Sequence, residues 1–307
     1  MKVFMNRKPI IGPYGGGNLW VSSMHSLAKE NGIELQTLET FDDPDVILVG
    51  GLDAADGYPS LLDCITYKEK LKNDVKIVLR LNENDARKGT SHVDEFVKKL
   101  SPELDSIVYV SDWLQSYFHK LDIRHKREAV IKNGVDSKVF SDYNVKIANR
   151  KTNIVAHHWS DNPMKGFDIY DLLDEFVGSV EGEGFTFTYI GRHRGTFKNT
   201  KVIPPMFGRE LGKELGRYDV YVSASRFDPG PNHILEAVSC GLPTFVHKDG
   251  GGAIEFAENK NVYSDWEELK GRLLAKQWWV QSGALLTSWP TCVGQFCDHI
   301  KEVACQE

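Results

Sequence analysis

The chain lacks three features that would assign it to common classes of protein. No apolar run approaches the roughly 20 residues that a membrane-spanning helix needs, so we expect no transmembrane segment. No Cys-x-x-Cys pair is present, and the five cysteines are odd in number and unevenly spaced. This pattern predicts buried or free thiols in a reducing compartment rather than disulfides or a metal centre. The formal net charge of -6 argues against nucleic acid as a partner.

The N-terminal residues 1–7 turn polar too soon for a secretory signal, so we expect a cytoplasmic protein. Apolar residues make up 41% and charged residues 26% of the 307 residues, which is ordinary for a globular protein of one or two domains. The tripeptide Asp43-Pro44-Asp45 has the form of an Asp-x-Asp metal motif. It precedes a predicted strand, where a turn explains it better, so we expect no metal.

Apolar segments with strand and helix periodicity alternate along the whole chain. Strands are predicted at 2–5, 46–49 and 76–81, and a second series begins with a strand at 153–156. Such alternation gives parallel sheets with helices on both faces. The polar segment 136–152 lies between the two series and predicts a hinge. The predicted fold class is therefore α/β, with two doubly wound, Rossmann-like domains that face a cleft.

The most informative stretch is 228–236, Asp-Pro-Gly-Pro-Asn-His-Ile-Leu-Glu. Its two carboxylates bracket a loop and the first turns of a predicted helix, for which Asn232 is the expected N-cap. An apolar strand and three glycines, 250–252, follow. Helix N-termini and glycine loops bind phosphates, and carboxylates accept hydrogen bonds from sugar hydroxyls. This order of loop, helix start, strand and glycine loop predicts a nucleotide-sugar site at the carboxyl ends of the strands.

Short motifs occur in a fixed order along nearly the whole chain. They are Gly15-Gly16-Gly17, Val110–Leu114, Ile131–Asp136, Lys165-Gly166-Phe167, Tyr218-Asp219-Val220 and the stretch 228–252. Together they resemble the retaining glycosyltransferases of family 4, which have the GT-B fold. The Glu-x7-Glu motif of that family has the form Asp-x7-Glu here. The resemblance implies an acceptor-side domain at 1–140, a donor-side domain at 150–290, and a C-terminal helix at about 291–307 that crosses back onto the first domain.

The resemblance also implies a role for each matching position. Lys165 would stabilise the charge that develops on the leaving diphosphate. Asp228 would bind hydroxyls of the transferred sugar, and Glu236 would bind the ribose. The other implied donor-binding residues are Gly15, Gly16, Gly17, Gly191, Arg192, Met206, Gly230, Pro231, Asn232, His233 and Ile234.

The implied reaction moves a hexose-type sugar from a nucleoside-diphosphate sugar to a hydroxyl of a glycan or other acceptor. It retains the anomeric configuration and uses neither a metal nor a cofactor. Asn82 and Asp85 follow a strand of the acceptor-side domain, and we predict that they join Lys165 and Asp228 as catalytic residues.

The sequence departs from the family at two places. The arginine that many relatives carry ahead of the Lys-Gly pair is absent from 157–162, so Arg192 or Arg194 would supply the second cation. The histidine that many relatives place beside the transferred sugar is replaced by Asn82 or Asp53.

Two other functions fit the same fold: an isomerase of the nucleotide-sugar 2-epimerase type, and a non-catalytic binder of sugar nucleotides or glycans. The basic run 119–127 offers a weak peripheral contact with an anionic membrane, although a solvated helix end explains this charge pattern better.

Overall fold

The structure is a computed structural model, and it describes residues 1–141, 151–194, 197–257 and 259–305. Most of the predicted hinge, residues 142–150, lies outside the described residues. The chain forms two compact units, which we call unit 1 and unit 2. Unit 1 comprises Met1–Ile11, Gly16–Gly134 and Thr287–Glu307, and unit 2 comprises Gly12–Gly15 and Val135–Leu286.

Unit 1 is built on a sheet of six parallel strands. The strands are β1 (Lys2–Met5), β2 (Glu34–Gln36), β3 (Val46–Val49), β4 (Lys76–Leu81), β5 (Ser106–Tyr109) and β6 (Glu128–Val130). The helices before residue 134 are α1 (Gly16–Leu27), α2 (Leu61–Lys70), α3 (Asp85–Lys88), α4 (Val93–Leu100) and α5 (Asp112–Lys120). The strand order is β2-β1-β3-β4-β5-β6.

The local chemistry of unit 1 explains where its elements form. All four residues of β3 are apolar and buried, as expected for a strand that is covered on both faces of a parallel sheet. Helix α2 begins at a capping box between Ser60 and Asp63. Ser111 caps α5 by accepting a hydrogen bond from the backbone N–H of Leu114.

The longer segment of unit 2 begins within β7 (Gly134–Val135) and contains a second sheet of six parallel strands. These strands are β8 (Thr152–His158), β9 (Phe185–Gly191), β10 (Lys201–Ile203), β11 (Val220–Ser223), β12 (Thr244–His247) and β13 (Val262–Tyr263). The helices are α6 (Phe167–Val177), α7 (Gly208–Leu215), α8 (Asn232–Ser239) and α9 (Trp266–Leu274). The strand order is β10-β9-β8-β11-β12-β13.

The chain ends in unit 1 with β14 (Thr287–Ser288) and α10 (Trp289–Ala304). Helix α10 buries Val293, Phe296 and Ile300 in the same apolar cluster as Trp20 and Met24 of α1. The C-terminal helix is therefore part of the core of unit 1.

Candidate functional site

Most of the unit 2 residues predicted to bind the donor lie at the ends of strands β8, β9 and β11 or on the segments that follow them, whereas Met206 follows β10 and Gly15 precedes α1. His158 ends β8, Gly191 ends β9, and the loop 224–231 follows β11. The carboxyl ends of parallel strands lie at one edge of a sheet, and ligands of doubly wound folds bind at that edge. The structure therefore brings these predicted residues to the edge where a ligand is expected.

The backbone of Asp228 is fixed by the glycines that follow β12. Asp228 forms an isolated parallel bridge with Gly251, and its carbonyl accepts a 2.8 Å hydrogen bond from the N–H of Gly252. Gly251 has a φ of 70°, and a Cβ at this position would lie 2.6 Å from the Asp228 carbonyl oxygen. The glycines are therefore needed here for a close approach of two backbone segments.

The side chain of Asp228 forms a shielded ion pair with Lys165. Lys165 Nζ lies 3.3 Å from Asp228 Oδ2, and the two side chains are only 12% and 10% exposed. Ser225 Oγ donates a second hydrogen bond of 3.2 Å to the same oxygen. Removing two charges from water costs free energy that their mutual attraction often fails to repay, so this pair is not explained by stability alone.

Gly166 sets the position of Lys165. Lys165 ends the 3-10 turn Pro163–Lys165, and Gly166 follows with a φ of 82°. A Cβ on Gly166 would lie 2.1 Å from the carbonyl oxygen of Ala224, just after β11. The Lys-Gly pair therefore places the lysine against the loop that carries Asp228.

We expect Gly166→Ala to destabilise the protein strongly, because it combines a left-handed backbone with a steric clash. Strain alone costs about 1–3 kcal/mol, and the clash adds to it. The measurement is the midpoint of thermal unfolding. Gly271→Ala is the matched control, since no described heavy atom lies within 4 Å of its Cβ position in helix α9 and alanine favours helices. Equal midpoints for the two variants would contradict the structural role of Gly166.

Glu236 lies on α8, and its carboxylate accepts a hydrogen bond from His157. Nε2 of His157 is 2.7 Å from Glu236 Oε2, and the side chains are 9% and 10% exposed. Within the described part of the chain, Oε2 has this one partner and Oε1 has none. A carboxylate this shielded with an oxygen left over is suited to accept hydrogen bonds from a ligand.

Two buried histidines, His157 and His233, connect the two carboxylates, and His158 packs against His233. The ring of His233 lies 6.1 Å from that of His157 and 4.7 Å from that of His158, centroid to centroid. His233 Nε2 is 3.0 Å from Ser223 Oγ, which also accepts a hydrogen bond from the backbone of Ser225. Because Ser225 binds Asp228, the two carboxylates belong to one contiguous network.

The prediction that Asn232 caps α8 is wrong. Pro231 occupies the N-cap position, and its carbonyl accepts a 3.1 Å hydrogen bond from the N–H of Ile234. Asn232 is the first helical residue and is buried, as are the next six residues of the helix. The first N–H groups of a helix have no acceptor within the helix, so the N-terminus of α8 presents backbone donors and the positive end of the helix dipole.

Gly191 and Arg192 lie beside the end of β8. Gly191 has a φ of 136°, and a Cβ there would lie 1.9 Å from the carbonyl oxygen of His158. The guanidinium carbon of Arg192 is 4.1 Å from the centroid of the Trp159 ring. Arg194 instead donates a 2.6 Å hydrogen bond to the carbonyl of Asp161. Of the two arginines considered as the second cation, Arg192 is the one held on an aromatic ring.

The glycine segment at 15–17 divides between the units. Gly15 belongs to unit 2, where a Cβ on it would lie 3.6 Å from the Trp159 ring. Gly16 and Gly17 are the first residues of α1 in unit 1, where the Cβ position of Gly17 lies 3.2 Å from Asn82 Nδ2. Asn82 therefore lies next to Gly17, one of the glycines predicted to bind the donor.

Met206 packs against the apolar core of unit 2, where Ile190 and Leu211 are buried. Asp53, the alternative to Asn82, is exposed, and its carbonyl accepts a 2.5 Å hydrogen bond from Arg7 Nη2.

Asp85 has a structural role that the sequence analysis did not predict. Its carboxylate accepts hydrogen bonds from the backbone N–H groups of His92, Val93 and Asp94 and from the Thr90 hydroxyl. These donors lie at or next to the start of α4, so Asp85 caps that helix from a distance. Burial alone would raise the pKa of Asp85, but these hydrogen bonds lower it below its ordinary value.

We expect Asp85→Asn to reduce the free energy of unfolding by about 1–2 kcal/mol at pH 7, because one carboxylate oxygen becomes an NH₂ group that cannot accept its hydrogen bonds from the start of α4. A lowered folded-state pKa means that the carboxylate stabilises the fold above about pH 4 and loses this effect as the pH falls through the folded-state value. The difference between variant and wild type should therefore shrink in acid. Urea denaturation at several pH values measures it, and loss of activity without any loss of stability would favour the catalytic role instead.

Charge and metal-ligand patterns elsewhere add little to this site. Across the described ranges, no group of three or more His, Cys, Asp or Glu side chains is arranged to hold a metal ion. None of the helices in those ranges combines the length and apolar character that a bilayer crossing requires. In the basic run 119–127, His119 is engaged with Glu128 at 2.7 Å.

Solved structures with the same fold cover almost the entire chain. HepE of Anabaena in complex with UDP-glucose matches 99% of this chain and 98% of its own, with a TM-score of 0.68 at 15% identity. A glycosyltransferase from Rickettsia africae matches 100% of this chain and 99% of its own, with a TM-score of 0.67 at 12% identity. Sucrose-phosphate synthase from Thermosynechococcus elongatus matches 99% of this chain and 96% of its own, with a TM-score of 0.64 at 12% identity.

No protein-family model and no curated protein sequence matches the chain. At such low identity the structural similarities establish the fold and nothing finer. The predicted fold class is confirmed: the chain is an α/β protein with the GT-B fold and two parallel, Rossmann-like sheets.

Proposed function

We propose that this protein is a retaining glycosyltransferase of the family 4 type that acts without a metal. It would transfer a hexose-type sugar from a nucleoside-diphosphate sugar to a hydroxyl of a glycan or another acceptor. The observation that carries the proposal is the pair of shielded carboxylates in unit 2: Asp228 holds a cation, and Glu236 keeps one oxygen without a partner among the described residues.

In this proposal Glu236 binds the ribose of the donor. A carboxylate only accepts hydrogen bonds, and neighbouring ribose hydroxyls supply donors. Oε2 is engaged by His157 and Oε1 remains for the ligand. The bond to His157 therefore leaves one carboxylate oxygen of Glu236 to accept hydrogen bonds from the ribose hydroxyls.

Lys165 and Asp228 carry the chemistry at the diphosphate and the transferred sugar. Departure of the nucleoside diphosphate places negative charge on its terminal phosphate, and the ammonium of Lys165 stabilises that charge in a site shielded from water. The free protein already pairs this ammonium with Asp228, which keeps the lysine in place. Asp228 then accepts hydrogen bonds from sugar hydroxyls, while the N-terminus of α8 favours the phosphate charge.

Arg192 is the proposed second cation. It replaces the arginine that many family 4 enzymes carry ahead of the Lys-Gly pair, and the stacking on Trp159 limits the orientations of its guanidinium. Lys165 and Arg192 together would supply the charge neutralisation at the diphosphate that a metal supplies in other transferases. Charge neutralisation by these two side chains supports a metal-independent reaction.

The acceptor side would be formed by unit 1, where Asn82 and Gly17 are neighbours. Asn82 offers both a donor and an acceptor to a sugar hydroxyl. The capping role of Asp85 holds the segment that follows Asn82. Gly15, Gly16 and Gly17 would allow the backbone to approach the diphosphate, and Gly191 and Met206 would flank the base.

The proposal is tested by a thermal-shift panel of UDP, GDP and ADP with their glucose and N-acetylglucosamine derivatives. HepE was solved with UDP-glucose, so UDP is the first nucleotide to use. We expect at least one nucleotide to raise the unfolding midpoint, since a ligand at 100 times its Kd stabilises by about 2.7 kcal/mol. Absence of a shift with every member of the panel would contradict the donor site.

A further inference from the structure

We propose that His157 is a positioning residue that orients the carboxylate of Glu236 toward the ribose hydroxyls of the donor. This inference rests on the proposed function and adds a residue to the donor site. The resemblance assigns no such role to the position, and the sequence offers only a histidine at the end of a strand.

The backbone of His157 is fixed before its side chain reaches Glu236. The hydroxyl of Tyr221 accepts a hydrogen bond from the His157 N–H and donates one to the His157 carbonyl, both at 3.1 Å. Tyr221 is fully buried in β11, and burial raises its pKa well above the ordinary value, so the hydroxyl keeps its proton. The two strands therefore hold the histidine rigidly.

Among the described residues, the imidazole ring of His157 forms a hydrogen bond with Glu236 alone. A carboxylate is an acceptor, so Nε2 of His157 must carry the hydrogen of the 2.7 Å bond to Oε2. Nδ1 of His157 has no hydrogen-bond partner among the described residues. A buried nitrogen without a partner costs free energy, so an apolar residue would serve the core better. The gain from this histidine is therefore the placement of Glu236.

The orientation of the Glu236 carboxylate needs to be fixed because the last torsion of a glutamate side chain rotates easily. The terminal χ angle of glutamate has a broad, two-fold distribution, so an unrestrained carboxylate samples many orientations. One hydrogen bond to Oε2 selects the orientations that leave Oε1 available. The ligand group recognised by this oxygen is a ribose hydroxyl, which predicts that His157 matters only for nucleotides that carry one.

The test compares His157→Gln, His157→Asn and His157→Ala in the full chain by titration with UDP and with 2′,3′-dideoxy-UDP. A glutamine amide nitrogen reaches the place of Nε2, whereas an asparagine amide nitrogen lies where Nδ1 lies. We expect the alanine and asparagine variants to bind UDP about tenfold more weakly, the upper range for one hydrogen bond. Binding of dideoxy-UDP should not change, and glutamine should restore UDP binding.

His158→Gln is the matched control, because His158 is also buried but bonds to the Tyr170 hydroxyl at 2.7 Å. It should not alter the ratio between the two nucleotides. An equal loss for UDP and dideoxy-UDP in the His157 variants, or no loss in any variant, would overturn the inference while leaving the donor site standing. If the wild-type protein bound none of the nucleoside diphosphates, the proposed function itself would fail, and this inference with it.

Discussion

Replacement of Lys165 by alanine is expected to lower kcat for sugar transfer by about 10²–10³-fold, the cost of removing one preorganised stabiliser of developing charge. The side chain of Lys165 is 12% exposed and its Nζ lies 3.3 Å from Asp228 Oδ2, so the field of the ammonium acts in a shielded site. The effect should fall on kcat more than on KM, since the leaving group carries more negative charge in the transition state than in the bound donor. The measurement is the initial rate of nucleotide release in the presence of acceptor.

The matched control is Lys213→Ala, which removes an exposed lysine from α7. Its kcat should equal that of the wild type. Because Lys165→Ala also leaves Asp228 without its cation, the unfolding midpoint must be recorded for both variants. A kcat within a factor of three of the wild-type value, in a folded Lys165→Ala protein, would remove Lys165 from the mechanism.

Replacement of Glu236 by glutamine is expected to raise the Kd for UDP about 10–100-fold. The amide oxygen of glutamine can still accept the hydrogen bond from His157, so the side chain keeps its place. The other oxygen becomes an NH₂ group, which donates where ribose hydroxyls need an acceptor. Hydrogen bonds to charged groups contribute about 1.5–3 kcal/mol, which corresponds to this range.

Glu214→Gln is the control for a buried carboxylate in the same unit. Glu214 is 8% exposed and is engaged with Tyr218 and Arg217. Isothermal titration should give this variant the wild-type Kd. If Glu236→Gln and Glu214→Gln bound UDP equally well, the ribose would lie elsewhere.

The sequence predicted the central elements of both sheets because their residues obey simple patterns. The bounds of β1, β3 and β4 agree with the predicted strands, and the predicted strand 153–156 lies within β8, since these segments are mainly apolar and largely buried. The edge strands β2 and β10 were missed. Each is three residues long, and each contains one exposed polar residue at the border of its sheet.

The site was predictable as a set of positions but not as a set of pairs. Lys165 and Asp228 are 63 residues apart, and His157 and Glu236 are 79 apart, so no local pattern contains either contact. Local patterns also left the hydrogen bonds of single residues unpredicted. Asn232 is a favoured N-cap type, yet a proline carbonyl begins the helix. Asp85 follows a strand in a polar segment, yet its carboxylate caps a helix that starts eight residues later.

The proposed function requires that the protein use a nucleotide sugar as the donor for transfer. It is tested most directly by incubating the wild-type protein with UDP-glucose, with and without a panel of mono- and oligosaccharide acceptors, and following the anomeric proton by NMR. We predict that UDP forms in step with a new glycoside of unchanged anomeric configuration, and only when an acceptor is present. Conversion of the donor to a different nucleotide sugar without acceptor would indicate an isomerase, and tight binding with no turnover would indicate a binding protein; either result would contradict the account.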